Sequence, residues 1–141
     1  MRYLLVLAAI LGGCATVQPP APVSEPATPP AATIENAAIA SLLEGARSDV
    51  AAGRLVNAAA SLERALRIEP RNPRLWQELA RVRLKQGDYA QAESVAARSN
   101  SWAGGDNWLR AENWRLIAQA REARGDAAGA RAALEAAERQ R

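Results

Sequence analysis

From residue 34 onward, apolar residues recur at every third or fourth position, which is the spacing that places them on one face of a helix. Alanine, leucine, arginine and glutamate dominate this part of the chain, and all four are good helix formers. Glycine and proline interrupt the pattern at regular intervals. The pattern therefore predicts six helices, near 34–52, 55–69, 73–86, 89–99, 107–124 and 127–139.

Two segments repeat one arrangement of large and small residues. PRLWQELARVRLKQGDYAQAESVAARS starts at Pro73, and ENWRLIAQAREARGDAAGARAALEAAE starts at Glu112; each places tryptophan, an aliphatic residue and alanine ahead of a Gly-Asp turn. The turn glycines are 34 residues apart from Gly53 to Gly87 and 38 apart from Gly87 to Gly125. This pattern resembles the tetratricopeptide repeat, a helical hairpin of 34 residues. The resemblance implies an all-α fold: three hairpins, about 39–72, 73–106 and 111–141, in a short right-handed solenoid.

The same alignment predicts how the helices pack. Small residues are expected where paired helices approach closely, and large ones beside them. The small set is Ala46, Ala80 and Ala118 against Ala58, Ala92 and Ala130, and the large set is Trp76, Trp114, Leu62 and Leu134. The sequence departs from the family where Asp49, Arg83 and Arg121 replace an aromatic residue, and where Ser99 and Gly104 replace a small residue and a proline.

The first 33 residues have a different character. A basic start, a short apolar run and Gly12-Gly13 form a secretory signal over 1–13, too short to span a bilayer. The order Leu11-Gly12-Gly13-Cys14 resembles the lipobox of bacterial lipoproteins, which implies lipid attachment at Cys14 and, with Ala15 next, transport to the outer membrane facing the periplasm. An ordinary signal peptide followed by a buried cysteine is the alternative.

Residues 14–33 are rich in proline and alanine, so neither a helix nor a central strand is expected there. We predict a disordered tether that carries the repeat domain, 34–141, away from the membrane. A processing spacer without this role is the alternative.

The net charge of +3 is too balanced to indicate nucleic-acid binding. With no histidine and one cysteine, the chain offers no His-based catalysis and no Cys-rich metal cluster, and we predict no cofactor, no metal and no enzymatic activity. The acids, such as Glu63, Glu93 and Glu135, lie on helix faces among arginine neighbours along the same helix, which predicts ordinary surface pairing.

Tetratricopeptide repeats commonly bind peptides along the concave surface formed by their first helices. The positions of that surface carry an excess of basic residues here, which favours an acidic or polar segment as ligand. A solvated arginine-rich face without a ligand is the alternative. The predicted contact residues are Arg47, Arg74, Gln77, Arg81, Lys85, Arg115 and Gln119, within a surface that also includes Leu43, Val50 and Glu122.

Trp102 and Trp108 lie in the insertion between the second and third repeats, outside the repeat pattern. Exposed tryptophan is a frequent anchor at protein interfaces, so both are candidate partner contacts. Alternatively, the two rings fold back over the gap left by the missing proline.

Lipobox, proline-rich tether and small repeat domain together resemble the outer-membrane lipoproteins that activate bifunctional class A penicillin-binding proteins, the peptidoglycan synthases. This resemblance implies an interaction module that docks on such a synthase in the periplasm. A pilotin-like or secretion-assembly lipoprotein is the main alternative, and carbohydrate binding through the tryptophans is another. The last helix is expected to be uncapped, so a partner or a second copy of the chain, as in a homodimer, is expected to cover it.

Overall fold

The computed structural model describes residues 31–141, with side chains from Glu35 onward, and this part of the chain is entirely helical and turn. The signal segment, Cys14 and the tether before Ala31 lie outside the described residues. The helices are α1 (Ala31–Ala51), α2 (Leu55–Ile68), α3 (Pro73–Lys85), α4 (Tyr89–Trp102), α5 (Asn107–Ala123) and α6 (Ala127–Glu138). The all-α prediction is confirmed, and the helix bounds agree with the sequence pattern to within three residues.

Two bounds differ by the full three residues. Helix α1 begins at Ala31 rather than 34, because Ala31 and Ala32 are strong helix formers that directly follow Pro30 in the sequence. Helix α4 runs to Trp102 rather than 99, and it ends where Gly104 adopts a positive φ of 54°. The insertion between the second and third repeats therefore lengthens α4 and leaves a short loop before α5.

Short polar side chains fix the starts of three helices. Asn72 accepts hydrogen bonds from the backbone N–H of Arg74 and of Leu75, at 3.0 and 3.3 Å. Asp106 and Asp126 cap α5 and α6 in the same way. The turns inside the three hairpins each carry a glycine with φ between 72° and 82°, a conformation that other residues adopt only with strain: Gly53, Gly87 and Gly125.

Each helix packs against the next along the chain, and α3 also contacts α5. The alanines predicted at the close approaches are all buried, and Leu62 is fully buried beside them. Trp76 and Trp114 are half-buried and pack against the two clusters of core residues. The prediction for Leu134 was wrong: its side chain is 49% exposed. Among the described residues, α6 packs against α5, and no helix covers its outer face.

The arginines that replace the family's aromatic residue connect successive hairpins. Arg83 donates to Glu63 of the preceding hairpin at 2.5 Å, and Arg121 donates to Glu93 at 2.6 and 2.8 Å. The prediction that these glutamates pair with arginines on their own helices was therefore wrong. A guanidinium reaches farther than an aromatic ring, so the ion pair spans the contact between hairpins that an aromatic residue fills elsewhere in the family.

Candidate partner-binding surfaces

The first helices of the hairpins, α1, α3 and α5, form one continuous face of the molecule. Between α3 and α5 this face has a shallow depression that contains four of the predicted contact residues: Arg81, Lys85, Arg115 and Gln119. Leu84, Leu116 and Glu112 complete its lining. The structure thus brings together side chains that lie up to 38 residues apart in the sequence. We call this depression the basic groove.

The basic groove has an excess of positive charge. Its one carboxylate, Glu112, accepts a hydrogen bond from Arg115 and lies 3.9 Å from the Arg81 guanidinium. Lys85 is exposed and takes part in no ion pair within the described part of the chain. The Arg81 Nε is buried and has no hydrogen-bond partner there, so a small movement of this side chain could bring the group to a bound acceptor. Three cations against one anion favour an acidic ligand.

A second depression, between α1 and α3, is mainly apolar. Leu43, Val50, Leu62 and Val82 line it, and the charged Arg47 and Glu78 stand among them. Arg47, a predicted contact residue, is well exposed, and its only ion pair with the side chains of residues 35–141 is a 3.9 Å approach to Glu44 on the same helix. We call this depression the apolar pocket. Because α3 lines both depressions, they are adjacent parts of one concave face.

Gln77, another predicted contact residue, is 4% exposed and does not lie on this face. Its Nε2 donates to the Oδ1 of Asn113 at 3.1 Å. Asn113 in turn donates from Nδ2 to Ser99 Oγ at 2.7 Å and to Asn100 Oδ1 at 2.9 Å. Ser99 donates to the backbone carbonyl of Pro73 at 2.7 Å. Gln77 therefore belongs to a buried amide network that joins α3, α4 and α5, and a partner cannot reach it.

Two residues that shape these surfaces were missed by the sequence reasoning. Asn113 is fully buried, and Glu112 reduces the positive charge of the basic groove. A signal for Asn113 was present: Leu109 lies four residues before it, and Leu116 and Ile117 lie three and four residues after it, so Asn113 falls on the apolar stripe of α5. Nothing local distinguishes Glu112 from other surface glutamates, since its role depends on Arg81 of another helix.

The remaining predicted contacts lie at one edge of the molecule. Arg74 pairs with Asp106 at 3.2 Å, and its side chain is 67% exposed. Trp108 is 60% exposed and Trp102 is 39% exposed, with the Arg71 guanidinium 5.2 Å from the centre of the Trp102 ring. The two rings do not fold back over the core. Ser99 and Ala103, on either side of this stretch of α4, are buried instead.

Residues 31–141 contain neither a cluster of metal ligands nor a membrane-spanning helix. No group of three or more metal-ligating side chains is placed to hold an ion. None of the helices in this part of the chain combines the length and the apolar character that crossing a bilayer requires.

Comparison with known proteins agrees with the geometry. The family model for the tetratricopeptide repeat matches residues 49–113. The solved globular C-terminal domain of LpoP from P. aeruginosa is 52% identical, with a TM-score of 0.70, and the match covers 71% of this chain and 94% of that domain. No curated protein sequence matches the chain. The chain therefore belongs to the tetratricopeptide repeat family, as an LpoP-like protein. It is a protein-interaction module of the LpoP type, and its fold is that of non-catalytic domains.

Proposed function

We propose that this protein is an outer-membrane lipoprotein that activates a bifunctional class A penicillin-binding protein from the periplasmic side. The basic groove is the observation that carries the proposal, because it is the surface best suited to hold a partner segment. The 52% identity to the C-terminal domain of LpoP supports it. In this proposal Cys14 carries the lipid, and the repeat domain docks on the synthase through its concave face.

The chemistry of the concave face specifies the partner segment. Arg81, Lys85 and Arg115 suit carboxylates, and the arginines can each form two parallel hydrogen bonds with one carboxylate. The apolar pocket between α1 and α3 suits an aliphatic side chain. Packed helices are about 8–10 Å apart, and an extended chain advances about 3.3 Å per residue. A partner segment with an aliphatic residue and an acidic residue about three positions apart would occupy both depressions at once.

A charge-reversal experiment tests this docking. The chain from Ala15 onward, without lipid, is added to a purified class A synthase from the same organism, and lipid II consumption and crosslinked product are measured. We expect the unaltered chain to stimulate both reactions. Arg81→Glu with Lys85→Glu should weaken binding roughly tenfold or more, since each reversal replaces an attraction by a repulsion.

The matched control is Arg64→Glu with Arg131→Glu. It changes the net charge by the same amount on the second helices α2 and α6, at exposed positions outside both depressions. Stimulation that survives in the groove variant, or is lost equally in the control, would contradict docking at the basic groove. Absence of stimulation by the unaltered chain would remove the synthase as partner and favour the pilotin-like assembly role.

A further inference from the structure

The antiparallel order of the hairpins brings six helix ends to one edge of the molecule. The starts of α1, α3 and α5 lie there, together with the ends of α2, α4 and α6. The chain enters the described domain at this edge, at Ala31. We call the surface formed by residues 67–76 and 98–108 the tether edge. Whatever precedes Ala31 along the chain must approach the domain from this side.

The tether edge carries most of the exposed large apolar side chains of the described residues. They are Ile68 at 36%, Trp102 at 39% and Trp108 at 60% exposure, while Val56 and Leu134 lie elsewhere. Exposed apolar groups concentrated on one side of a small domain indicate a contact surface.

Cations lie among these apolar groups. The Arg71 guanidinium lies over the Trp102 ring, 5.2 Å from its centre, and the Arg98 guanidinium lies over the Trp76 ring at 5.8 Å. A cation–π contact uses the charge of a guanidinium without using its N–H groups as donors to an oxygen, so those groups remain available to an acceptor. Neither arginine, nor Arg67 beside them, takes part in an ion pair within residues 35–141.

The carboxylates of the tether edge are already engaged. Asp106 pairs with Arg74 and also accepts from the backbone of Leu109. Glu69 accepts a hydrogen bond of 2.7 Å from the Asn72 side chain. The edge therefore presents unpaired positive charge next to exposed indole rings. The depression there, which Ile68, Arg71 and Arg74 line with their neighbours, is wide and open to solvent.

We propose that the tether edge docks on a membrane surface of anionic phospholipids. Tryptophan favours the interface between headgroups and acyl chains. Arginine matches the geometry of phosphate and contributes attraction to an anionic surface. A bilayer surface is broad and carries its phosphates at no fixed spacing, which suits a scattered set of arginines and indoles better than a shaped partner would.

The position of the edge strengthens the case, and this step rests on the proposed anchor at Cys14. Sixteen residues separate Cys14 from Ala31, and at about 3.1 Å each they span at most roughly 50 Å. A domain held this close to a membrane meets it at an effective concentration of about millimolar, so weak affinity suffices. Arg81 and Lys85 lie in the second half of α3, away from the edge. The basic groove therefore remains accessible in the docked state.

Vesicle flotation tests the proposal with the unlipidated chain from Ala15 onward. Vesicles of phosphatidylcholine mixed with phosphatidylglycerol should carry the protein, and vesicles of phosphatidylcholine alone should carry much less. Arg71→Glu with Arg98→Glu should lower binding to the mixed vesicles about tenfold or more, given the contribution of each cation near an anionic surface. Trp102→Ala with Trp108→Ala should lower it severalfold, and circular dichroism confirms that both variants fold.

The matched control here is Arg54→Glu with Arg131→Glu, which makes the same charge change at exposed positions beside the start of α2 and in the first half of α6, away from the tether edge. Arg64 does not serve here, because it lies beside Arg67 and Ile68 of that edge. Failure of the unaltered chain to bind mixed vesicles, or an equal loss in the control, would overturn the proposal. So would a tryptophan variant that binds vesicles normally but no longer stimulates the synthase, since the edge would then be a protein interface. Synthase stimulation without vesicles reports on the basic groove separately, so the two proposals fail independently.

Discussion

At the scale of single residues, a buried amide decides how the second and third hairpins meet. Asn113 is fully buried and uses its side-chain carbonyl and both N–H groups on partners from α3 and α4. Ser99, which replaces the expected small apolar residue, is one of those partners. A buried polar group is tolerated only when its hydrogen bonds are made, so this network fixes one relative position of the three helices.

Asn113→Ala should therefore destabilise the domain strongly. The substitution leaves buried polar groups of Gln77, Ser99 and Asn100 without their partner, at a cost of about 2 kcal/mol. For a domain of this size, that corresponds to a fall in Tm of roughly 10 °C. Thermal unfolding followed by circular dichroism measures it.

Asn107→Ala is the control for this variant, because Asn107 lies on the same helix but is exposed. It should change the free energy of unfolding by less than about 0.5 kcal/mol. If the two variants melt at the same temperature, the amide network does not hold the hairpins together.

At the scale of the helices, the sequence predicted almost all of the fold. Breakers such as Gly53, Gly87 and Gly125 act on the residues next to them, so a local pattern is enough to locate the turns. The two larger errors in the bounds arose at α1 and α4. Helix α1 begins early at Ala31 and Ala32, which are strong helix formers. Helix α4 continues through Asn100, Ser101 and Trp102, which are not, and a tertiary contact, the hydrogen bond from Asn113 to Asn100, supports this extension.

The candidate surfaces were less predictable than the helices. Arg81, Lys85, Arg115 and Gln119 were identified correctly as neighbours, because the repeat alignment places them on first helices. Gln77 occupies an equivalent position on α3, yet its amide turns inward to a partner 36 residues later in the chain. Whether a polar side chain is free or engaged depends on such distant partners, and a pattern of single positions does not contain that information.

Two glycines of opposite conformation give a prediction at this scale. Gly45 lies inside α1 with open space around its Cβ position, so Gly45→Ala should stabilise the domain by about 0.5–1 kcal/mol. Gly125 turns the chain at φ +82°, also with open space, so Gly125→Ala should destabilise it by about 1 kcal/mol through backbone strain alone.

Urea unfolding of the two variants measures both changes. Neither added methyl group meets a neighbouring atom within 4 Å, so a steric clash contributes to neither result. The difference between the two variants therefore reports the difference in backbone conformation. A stabilised Gly125→Ala variant would show that the turn does not require the left-handed conformation.

At the scale of the whole molecule, the domain is a linear stack in which each hairpin depends on its neighbours. Among the described elements, each helix contacts the helices next to it in the chain, and the first helices α3 and α5 also contact each other. In such a stack, stability is approximately a sum of hairpin and interface terms, and a terminal hairpin supported from one side opens most easily. The ion pairs of Arg83 and Arg121 belong to the interface terms, and the relative position of the hairpins shapes the basic groove.

Arg121→Ala tests this dependence at the last interface. The Arg121 guanidinium bonds Glu93 of α4 and the backbone carbonyl of Gly129 in α6, so its loss should cost about 1–2 kcal/mol. Part of the Glu93 interaction survives through Arg124, 3.2 Å away. Because neighbours support each hairpin, amide hydrogen exchange should accelerate in α5 and α6 and remain unchanged in α2.

Arg141→Ala is the control, because it removes only an exposed pair with Glu138 and should alter stability by less than about 0.5 kcal/mol. Equal acceleration in all six helices would mean that the domain opens as one cooperative unit and not hairpin by hairpin.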